Sequence, residues 1–240
     1  MLEEKLRTAF GLFSVGDIGG VERLAGEILS ETPGQADALH LLGVVRIMNG
    51  QAGEAIELLG RALEAKADDV GILENLGLAH LVAQEIGTAE VILRRAVALG
   101  ASNGLTYMRL GMALGFLGRM AEAVEMLQTA AAKLPGEPDI QLNLGNALAQ
   151  TGKVEEAVAC FKKVLVLHPQ HVDAHFNLGT LYRQMNRPEE AVESYRRVIE
   201  LAEGYAEAHN NLGLVYAELG RIEEAVGRFR RALELEPGQA

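Results

Sequence analysis

The chain repeats a Leu-Gly pair at an interval of 34 residues. The glycines of this pair are Gly43, Gly77, Gly111, Gly145, Gly179 and Gly213. An alanine lies twelve residues after each glycine, and a large apolar residue lies sixteen residues after it. These large residues are Leu59, Leu93, Leu127, Phe161, Tyr195 and Phe229. A fixed period of this length predicts a stack of similar structural units, because each unit buries its apolar face only against its neighbours.

The repeats occupy nearly all of the 240 residues. When the glycine is numbered position 8, the complete blocks are 36–69, 70–103, 104–137, 138–171, 172–205 and 206–239. A degenerate block, 2–35, precedes them and keeps Gly16 and Pro33 in phase. We therefore predict one solenoid domain over residues 1–240, with no second independent core.

Each block contains two apolar segments of helical spacing. A turn residue separates them at position 15, and these residues are Gly16, Gly50, Gly118, Gly152, Asn186 and Gly220. The block is therefore predicted to be a helix-turn-helix unit. Small residues at positions 8 and 20 let its two helices approach closely, while the large residue at position 24 fills the space beside them.

Both ends of the second helix also have sequence signals. Acidic pairs, Glu155-Glu156, Glu189-Glu190 and Glu223-Glu224, are predicted to begin it, since the helix dipole favours negative charge there. Prolines at position 32 predict that it ends just before them, because proline lacks the amide hydrogen and disfavours helix in its predecessor. These prolines are Pro33, Pro135, Pro169 and Pro237.

This pattern of Leu-Gly, alanine, aromatic residue and proline in 34 residues resembles the tetratricopeptide repeat. The resemblance covers essentially the whole chain. It implies an all-α fold, a right-handed superhelical solenoid of about seven helix-turn-helix repeats. It also implies that the first helix of each repeat lines a concave groove that binds peptides or protein segments.

Composition excludes several other functions. The 22 basic and 33 acidic residues give a formal charge of -11, which opposes binding to nucleic acid or to an anionic membrane. Cys160 is the only cysteine, so neither an internal disulfide nor a multi-cysteine metal site is possible. The acidic N-terminus and the lack of a long uncharged apolar segment predict a cytoplasmic chain without membrane insertion.

The face of the first helix opposite its core side differs between repeats. About 100° of rotation per residue places positions 2, 6, 9 and 13 on this face. In the later repeats it is mostly polar: Asp139, Asn143, Asn146, Gln150, Asp173, Asn177, Thr180, Gln184, Glu207, Asn211, Leu214 and Glu218. An amide both donates and accepts hydrogen bonds, so recurring asparagines, with Asn75 in an earlier repeat, predict a ladder that holds a peptide backbone. The alternative is that asparagine is simply common at this position of the repeat.

In the earlier repeats the same face is apolar, with Leu41, Val44, Met48, Leu78, Val82, Leu105, Met112 and Phe116. A helix that is apolar all round is normally covered. The candidates are an apolar anchor of a partner, the N-terminal helix of the chain itself, or a second copy. Alternatively, tight superhelical curvature buries these side chains against each other.

Arg109 occupies position 6 among these apolar residues. With Asn75 it resembles in part the carboxylate clamp of some tetratricopeptide cochaperones, but His40, Val44 and Leu105 occupy the lysine and second asparagine positions of that clamp. Arg109 is therefore assigned to the peptide-binding set, where it can pair with an acidic side chain of a ligand.

The histidines, the cysteine and the motif content do not predict a metal site or a catalytic site. His168, His171, His175 and His209 fall at packing or turn positions rather than around a metal. Cys160 has no base near it in the sequence, which favours a structural thiol. No nucleotide-binding or hydrolase motif occurs, so neither an enzyme nor a cofactor is expected within this chain.

We therefore predict a protein-protein interaction module that binds an extended protein or peptide segment. One alternative is the substrate-recruiting region of a larger transferase, since residues 138–239 resemble the repeats of O-GlcNAc-transferase-like proteins. Another is a self-assembling scaffold, because no polar capping helix follows the last repeat and the face around Ile222, Phe229 and Leu233 is expected to be partly exposed.

Overall fold

The computed structural model describes residues 2–236, which form fourteen α-helices and no strand. The helices follow one another as seven helix-turn-helix pairs, as predicted. They belong to two compact units, Met1–Lys133 and Leu134–Ala240. The expectation of a single solenoid domain over residues 1–240 stays a prediction.

The first unit contains four helix pairs. They are α1 (Leu2–Ser14) with α2 (Ile18–Glu31), α3 (Ala36–Met48) with α4 (Ala52–Ala65), α5 (Val70–Val82) with α6 (Ile86–Ala98), and α7 (Gly104–Phe116) with α8 (Met120–Lys133). The second unit contains three pairs. They are α9 (Pro138–Gln150) with α10 (Val154–Leu167), α11 (Val172–Gln184) with α12 (Pro188–Leu201), and α13 (Ala206–Glu218) with α14 (Ile222–Leu235).

The turn inside each pair has the conformation that its residues predict. All six residues expected at position 15 have positive φ, from 55° at Asn186 to 78° at Gly16. Gln84 occupies the same position in the third pair and also has positive φ, 61°. Glycine and asparagine tolerate this region, whereas glutamine has no such preference, so the repeat geometry imposes the turn at Gln84.

The contact between the two helices of a pair depends on the glycine at position 8. A Cβ atom added to Gly43 would lie 2.6 Å from Cγ of Leu59, and one added to Gly179 would lie 2.8 Å from Cε1 of Tyr195. Real Cβ atoms do not approach other atoms so closely, so the side chain at position 24 excludes any residue but glycine unless it moves.

In the first pair, different residues occupy positions 8 and 24. Positions 8 and 24 are both alanine there, Ala9 and Ala25, and both are fully buried. A small residue at position 24 leaves room for a methyl group at position 8. The degenerate first block therefore keeps the packing of the repeat with a different pair of residues.

The second helix can end at the predicted position without the proline at position 32. Helix α2 ends at Glu31 before Pro33, as predicted, but α12 ends at the same position of its block although Glu203 stands in place of proline. In both helices the residue after the last turn leaves the helical region, with φ of -140° at Thr32 and -146° at Ala202. The predicted stop at Pro237 lies outside the described residues.

The acidic pairs lie where they were predicted, in the first turns of α10, α12 and α14. None of the helices in residues 2–236 combines the length and the apolar character that a membrane span requires.

Candidate functional site

The residues singled out on the first helices form two sets. We call the apolar stripe the set Val44, Met48, Leu78, Val82, Leu105, Met112 and Phe116 on α3, α5 and α7. We call the polar stripe the set Asn143, Asn146, Gln150, Asn177, Thr180, Gln184 and Asn211 on α9, α11 and α13. The core sides of these helices are buried, for example at Leu39, Ile72 and Leu110.

The apolar stripe is most exposed at position 13 of each helix. Met48 is 61%, Val82 45% and Phe116 70% exposed. The other four residues, Val44, Leu78, Leu105 and Met112, are half-buried. Position 13 of this stripe is therefore not covered, and three large side chains there face solvent in successive repeats.

Leu41 was predicted to belong to the apolar groove, and the structure corrects this. Its side chain is only 4% exposed and belongs to a buried cluster with Ala9, Val21 and Val45. Ala9 lies on α1 and Val21 on α2, so the first helix pair covers Leu41. Stacking of the degenerate first block therefore makes Leu41 a core residue.

Arg109 is half-buried within the apolar stripe and is poorly paired. Its only hydrogen bond among the described residues runs from an Nη1 hydrogen to the Glu74 carbonyl oxygen, at 3.5 Å. No described carboxylate lies within 4.0 Å of it to form a salt bridge. The carboxylate of Glu74 instead accepts the hydroxyl of buried Thr106 at 2.5 Å. Burial lowers the pKa of Arg109, because the charged form loses solvation.

Asn75 is engaged with the preceding repeat. Its Nδ2 atom lies 2.8 Å from Nε2 of His40. Burial lowers the pKa of His40, which favours the neutral ring, so Nε2 accepts a hydrogen bond from the Asn75 amide. This amide therefore links two repeats, and its carbonyl oxygen is the part with no described protein partner.

On the polar stripe, two of the predicted amides bind each other. Asn177 donates from Nδ2 to Oδ1 of Asn146 at 2.9 Å, across neighbouring repeats. Asn143 instead donates to the carbonyl oxygen of Asp139 in its own helix, at 2.8 Å. The structure thus brings together Asn146 and Asn177, whereas Asn143 is turned toward its own backbone.

An open cavity of about 400 Å³ lies over the linked amides. Asn146, Gln150, Asn177, Thr180 and Gln184 line it, with Ala149, Phe161 and Leu181 as its apolar part. Five of the predicted residues of the polar stripe therefore share one cavity. Gln150 and Gln184 are exposed at its rim.

A second open cavity, of about 660 Å³, lies between α11, α13 and α14. Thr180 lines both cavities, and Asn211 lines the second with Phe176, Phe229 and Leu233. The Thr180 and Tyr195 hydroxyls are 3.0 Å apart, and burial raises the pKa of Tyr195.

Sequence reasoning did not assign Phe176 to the site. Its ring packs against the rings of Tyr195 and Tyr205, with centroids 5.7 and 5.2 Å away. The one available signal was an aromatic residue at position 5, beside the polar stripe.

Two of the histidines and the cysteine have packing roles. Nε2 of His175 lies 3.0 Å from the Pro169 carbonyl oxygen, and Nε2 of His209 lies 3.0 Å from that of Glu203. Both histidines thus hold the turn that precedes their own repeat. Cys160 is buried, and burial raises the pKa of its thiol.

Comparison with known proteins agrees with the geometry. Tetratricopeptide repeat profiles match residues 40–104 and 176–240, residues 137–204, and residues 106–132. No curated protein sequence matches the chain significantly.

Several solved structures have the same fold. A MamA structure labelled AMB-1 is 26% identical, with a TM-score of 0.65 over 69% of this chain and 98% of that one. YrrB, described as a protein with an unusual peptide-binding site, is 22% identical, with a TM-score of 0.68 over 77% and 95% of the two chains. PilF of Pseudomonas aeruginosa is 17% identical, with a TM-score of 0.73 over 92% and 96%.

The Leu-Gly period, the glycine contacts inside six of the seven pairs and the extent of the profile matches lead to one conclusion. This chain belongs to the tetratricopeptide repeat family, and its helix pairs form an interaction scaffold.

Proposed function

We propose that the chain binds extended segments of a partner protein on the exposed faces of its first helices. In this proposal the apolar stripe of the first unit takes apolar side chains, and the polar stripe of the second unit holds peptide backbone. The observation that carries the proposal is the exposure of Met48, Val82 and Phe116 at one position of three successive repeats. Aligned apolar side chains of this size are typical of binding surfaces.

The character of these side chains suits a segment rather than a small molecule. Methionine adapts its shape to different apolar partners, and phenylalanine supplies a large apolar area. Neighbouring helices pack about 8–10 Å apart, and an extended chain advances about 3.3 Å per residue. Successive repeats can therefore contact roughly every third residue of an extended ligand.

The linked amides of the second unit support backbone binding. Asn177 uses one amide hydrogen on Asn146, which leaves the Oδ1 atom of Asn177 and the Nδ2 hydrogens of Asn146 without described protein partners. The hydrogen bond between Asn177 and Asn146 fixes the orientation of both amide groups. One acceptor and one donor group at neighbouring repeats match the N–H and C=O groups of a peptide.

Selection from a random peptide library displayed on phage tests the proposal. Peptides enriched on the wild-type chain are then measured against Phe116→Asp and against Asn177→Asp, which removes the amide donor but keeps the shape. The matched controls are Val91→Asp, an exposed valine on α6, and Gln170→Glu, an exposed amide in a turn. We expect loss of binding in at least one stripe variant and none in the controls. Peptides that bind all four variants equally well would refute the proposal.

Self-association is a second candidate, favoured by the exposed apolar residues Ile222, Val226 and Leu233 on α14. The mass of the chain in solution, measured by light scattering over a range of concentrations, tests it. If this face associates, the mass rises with concentration in the wild type and not in Val226→Asp. A mass equal to one chain at every concentration contradicts self-association.

A further inference from the structure

Arg109 differs from the two other arginines on the first helices of the first unit, of which Arg7 on α1 is exposed. Arg46 on α3 lies within salt-bridge distance of two carboxylates, Glu22 and Glu54. Arg109 on α7 has one contact, at 3.5 Å, with a backbone carbonyl oxygen. A guanidinium group carries five N–H donors, so most of those of Arg109 have no protein partner in residues 2–236.

The surroundings make this group costly to leave unpaired. Arg109 is half-buried, and Glu74, whose backbone carbonyl oxygen it contacts, directs its carboxylate to the Thr106 hydroxyl. A charged group that has lost solvation without gaining a counter-ion is unfavourable, and an incoming carboxylate would relieve that cost. Guanidinium and carboxylate groups also match geometrically, through two parallel hydrogen bonds.

The position of Arg109 indicates whether the carboxylate of the ligand belongs to an internal side chain or to a chain terminus. Leu105 lies one turn before it on α7, Met112 one turn after it and Phe116 two turns after it. Apolar contacts are therefore available in both directions from the guanidinium group. A segment that lies along α7 over these residues continues on both sides of its acidic residue, which a chain terminus does not. The formal charge of -11 disfavours a polyanion.

We propose that Arg109 binds the side-chain carboxylate of an aspartate or glutamate flanked by apolar residues in the partner segment. This inference rests on the proposed function, because it specifies the chemistry of the segment that the apolar stripe takes. It makes the first unit selective for one charged residue within an apolar sequence.

Three peptide pools test the inference. The peptides have about ten residues, which span roughly 33 Å when extended, and are built from Ala, Leu, Val and Ser around one fixed central residue. The first pool has central glutamate and blocked ends, the second has central glutamine and blocked ends, and the third has central glutamine and a free terminal carboxylate. Retention of each pool is measured on the wild type, Arg109→Met, Arg109→Lys and the control Arg23→Met, an exposed arginine on α2.

We expect the wild type and Arg23→Met to retain the glutamate pool about tenfold more strongly than the blocked glutamine pool. Arg109→Met should retain the two pools equally, and Arg109→Lys should keep part of the preference, since lysine has the charge without the paired donors. Equal retention by the wild type, or a preference that survives in Arg109→Met, overturns the inference. A preference for the third pool over the first overturns the assignment to an internal side chain.

Failure of this inference can be distinguished from failure of the proposed function. If the wild type binds the glutamate and glutamine pools equally and Phe116→Asp binds neither, the inference about Arg109 is wrong. The apolar stripe is then still supported as a binding surface. Retention of none of the pools also overturns the role of Arg109, whereas the proposed function is decided by the unrestricted phage selection.

Discussion

Replacing the glycine at position 8 tests the packing that defines each repeat. An alanine at position 43 would place its Cβ 2.6 Å from Cγ of Leu59, and the leucine is fully buried. Forcing an extra methyl group into a filled core costs about 1–3 kcal/mol. Alanine is better than glycine inside a helix by about 1 kcal/mol. The net effect of Gly43→Ala is therefore a loss of about 0–2 kcal/mol.

Gly60→Ala is the matched control in the same helix pair. Gly60 lies inside α4, and a Cβ atom added there meets nothing within 4 Å. This variant keeps the gain in helix propensity without the clash, so it should be more stable than the wild type by about 0.5–1 kcal/mol. The two glycine-to-alanine variants should then differ by about 1–3 kcal/mol.

A double-mutant cycle with Leu59→Ala isolates the contact. In the first helix pair alanine occupies both positions, at Ala9 and Ala25, and both residues are fully buried. Gly43→Ala should therefore become neutral or stabilising when Leu59 is also alanine, because its methyl group fills part of the cavity that Leu59→Ala creates. The assay is urea-induced unfolding of the full chain, followed by circular dichroism.

Two results would refute this account of the packing. One is an equal shift of the unfolding midpoint in Gly43→Ala and Gly60→Ala. The other is an effect of Gly43→Ala that is the same with and without Leu59→Ala, which would show that the glycine and the leucine are not coupled.

Three further predictions concern the stripe, an ion-pair cluster and the thiol. Phe116→Asp should weaken a peptide selected on the apolar stripe about 5- to 30-fold by titration, because burying most of a phenylalanine contributes about 1–2 kcal/mol, whereas Val91→Asp should not. Hydrogen bonds from Arg119 and then Arg94 lower the pKa of Glu122 from 4.5 to about 2. A lowered carboxyl pKa gives stability that is present above pH 4.5 and lost as the pH falls toward about 2, so Arg119→Gln should reduce the fall in unfolding midpoint over this range. The buried Cys160 thiol, whose pKa burial raises, should react with a thiol reagent far more slowly in the folded chain than in urea, and equal rates would contradict its burial.

Much of the local structure could be predicted from the period alone. The first helix covers positions 1–13 of all seven blocks, and the turn at position 15 has positive φ even at Gln84, where the residue type does not favour it. Proline at position 32 correctly predicted the end of α2, but the same end also occurs where proline is absent. The helix before Glu203 ends at the same position of its block as the helix before Pro33, so proline is not required for this end.

The candidate site was less predictable. Helical spacing correctly placed Met48 and Phe116 on an exposed face, but it also placed Leu41 there, although Ala9 and Val21 bury it. Spacing along one helix says which residues share a face and does not say what another helix lays over that face.

By itself the sequence determined the repeating unit, the helix bounds within it and the tight contact between glycine and the residue sixteen positions later. These features depend on interactions within about 34 residues, which recur in the six complete blocks. Tertiary structure alone decided which polar groups remain available. Asn177 is bound to Asn146 and Asn75 to His40, whereas Arg109 is left with one weak contact. Each of these outcomes depends on a neighbouring repeat, because a hydrogen-bonding group is free or engaged according to what packs beside it.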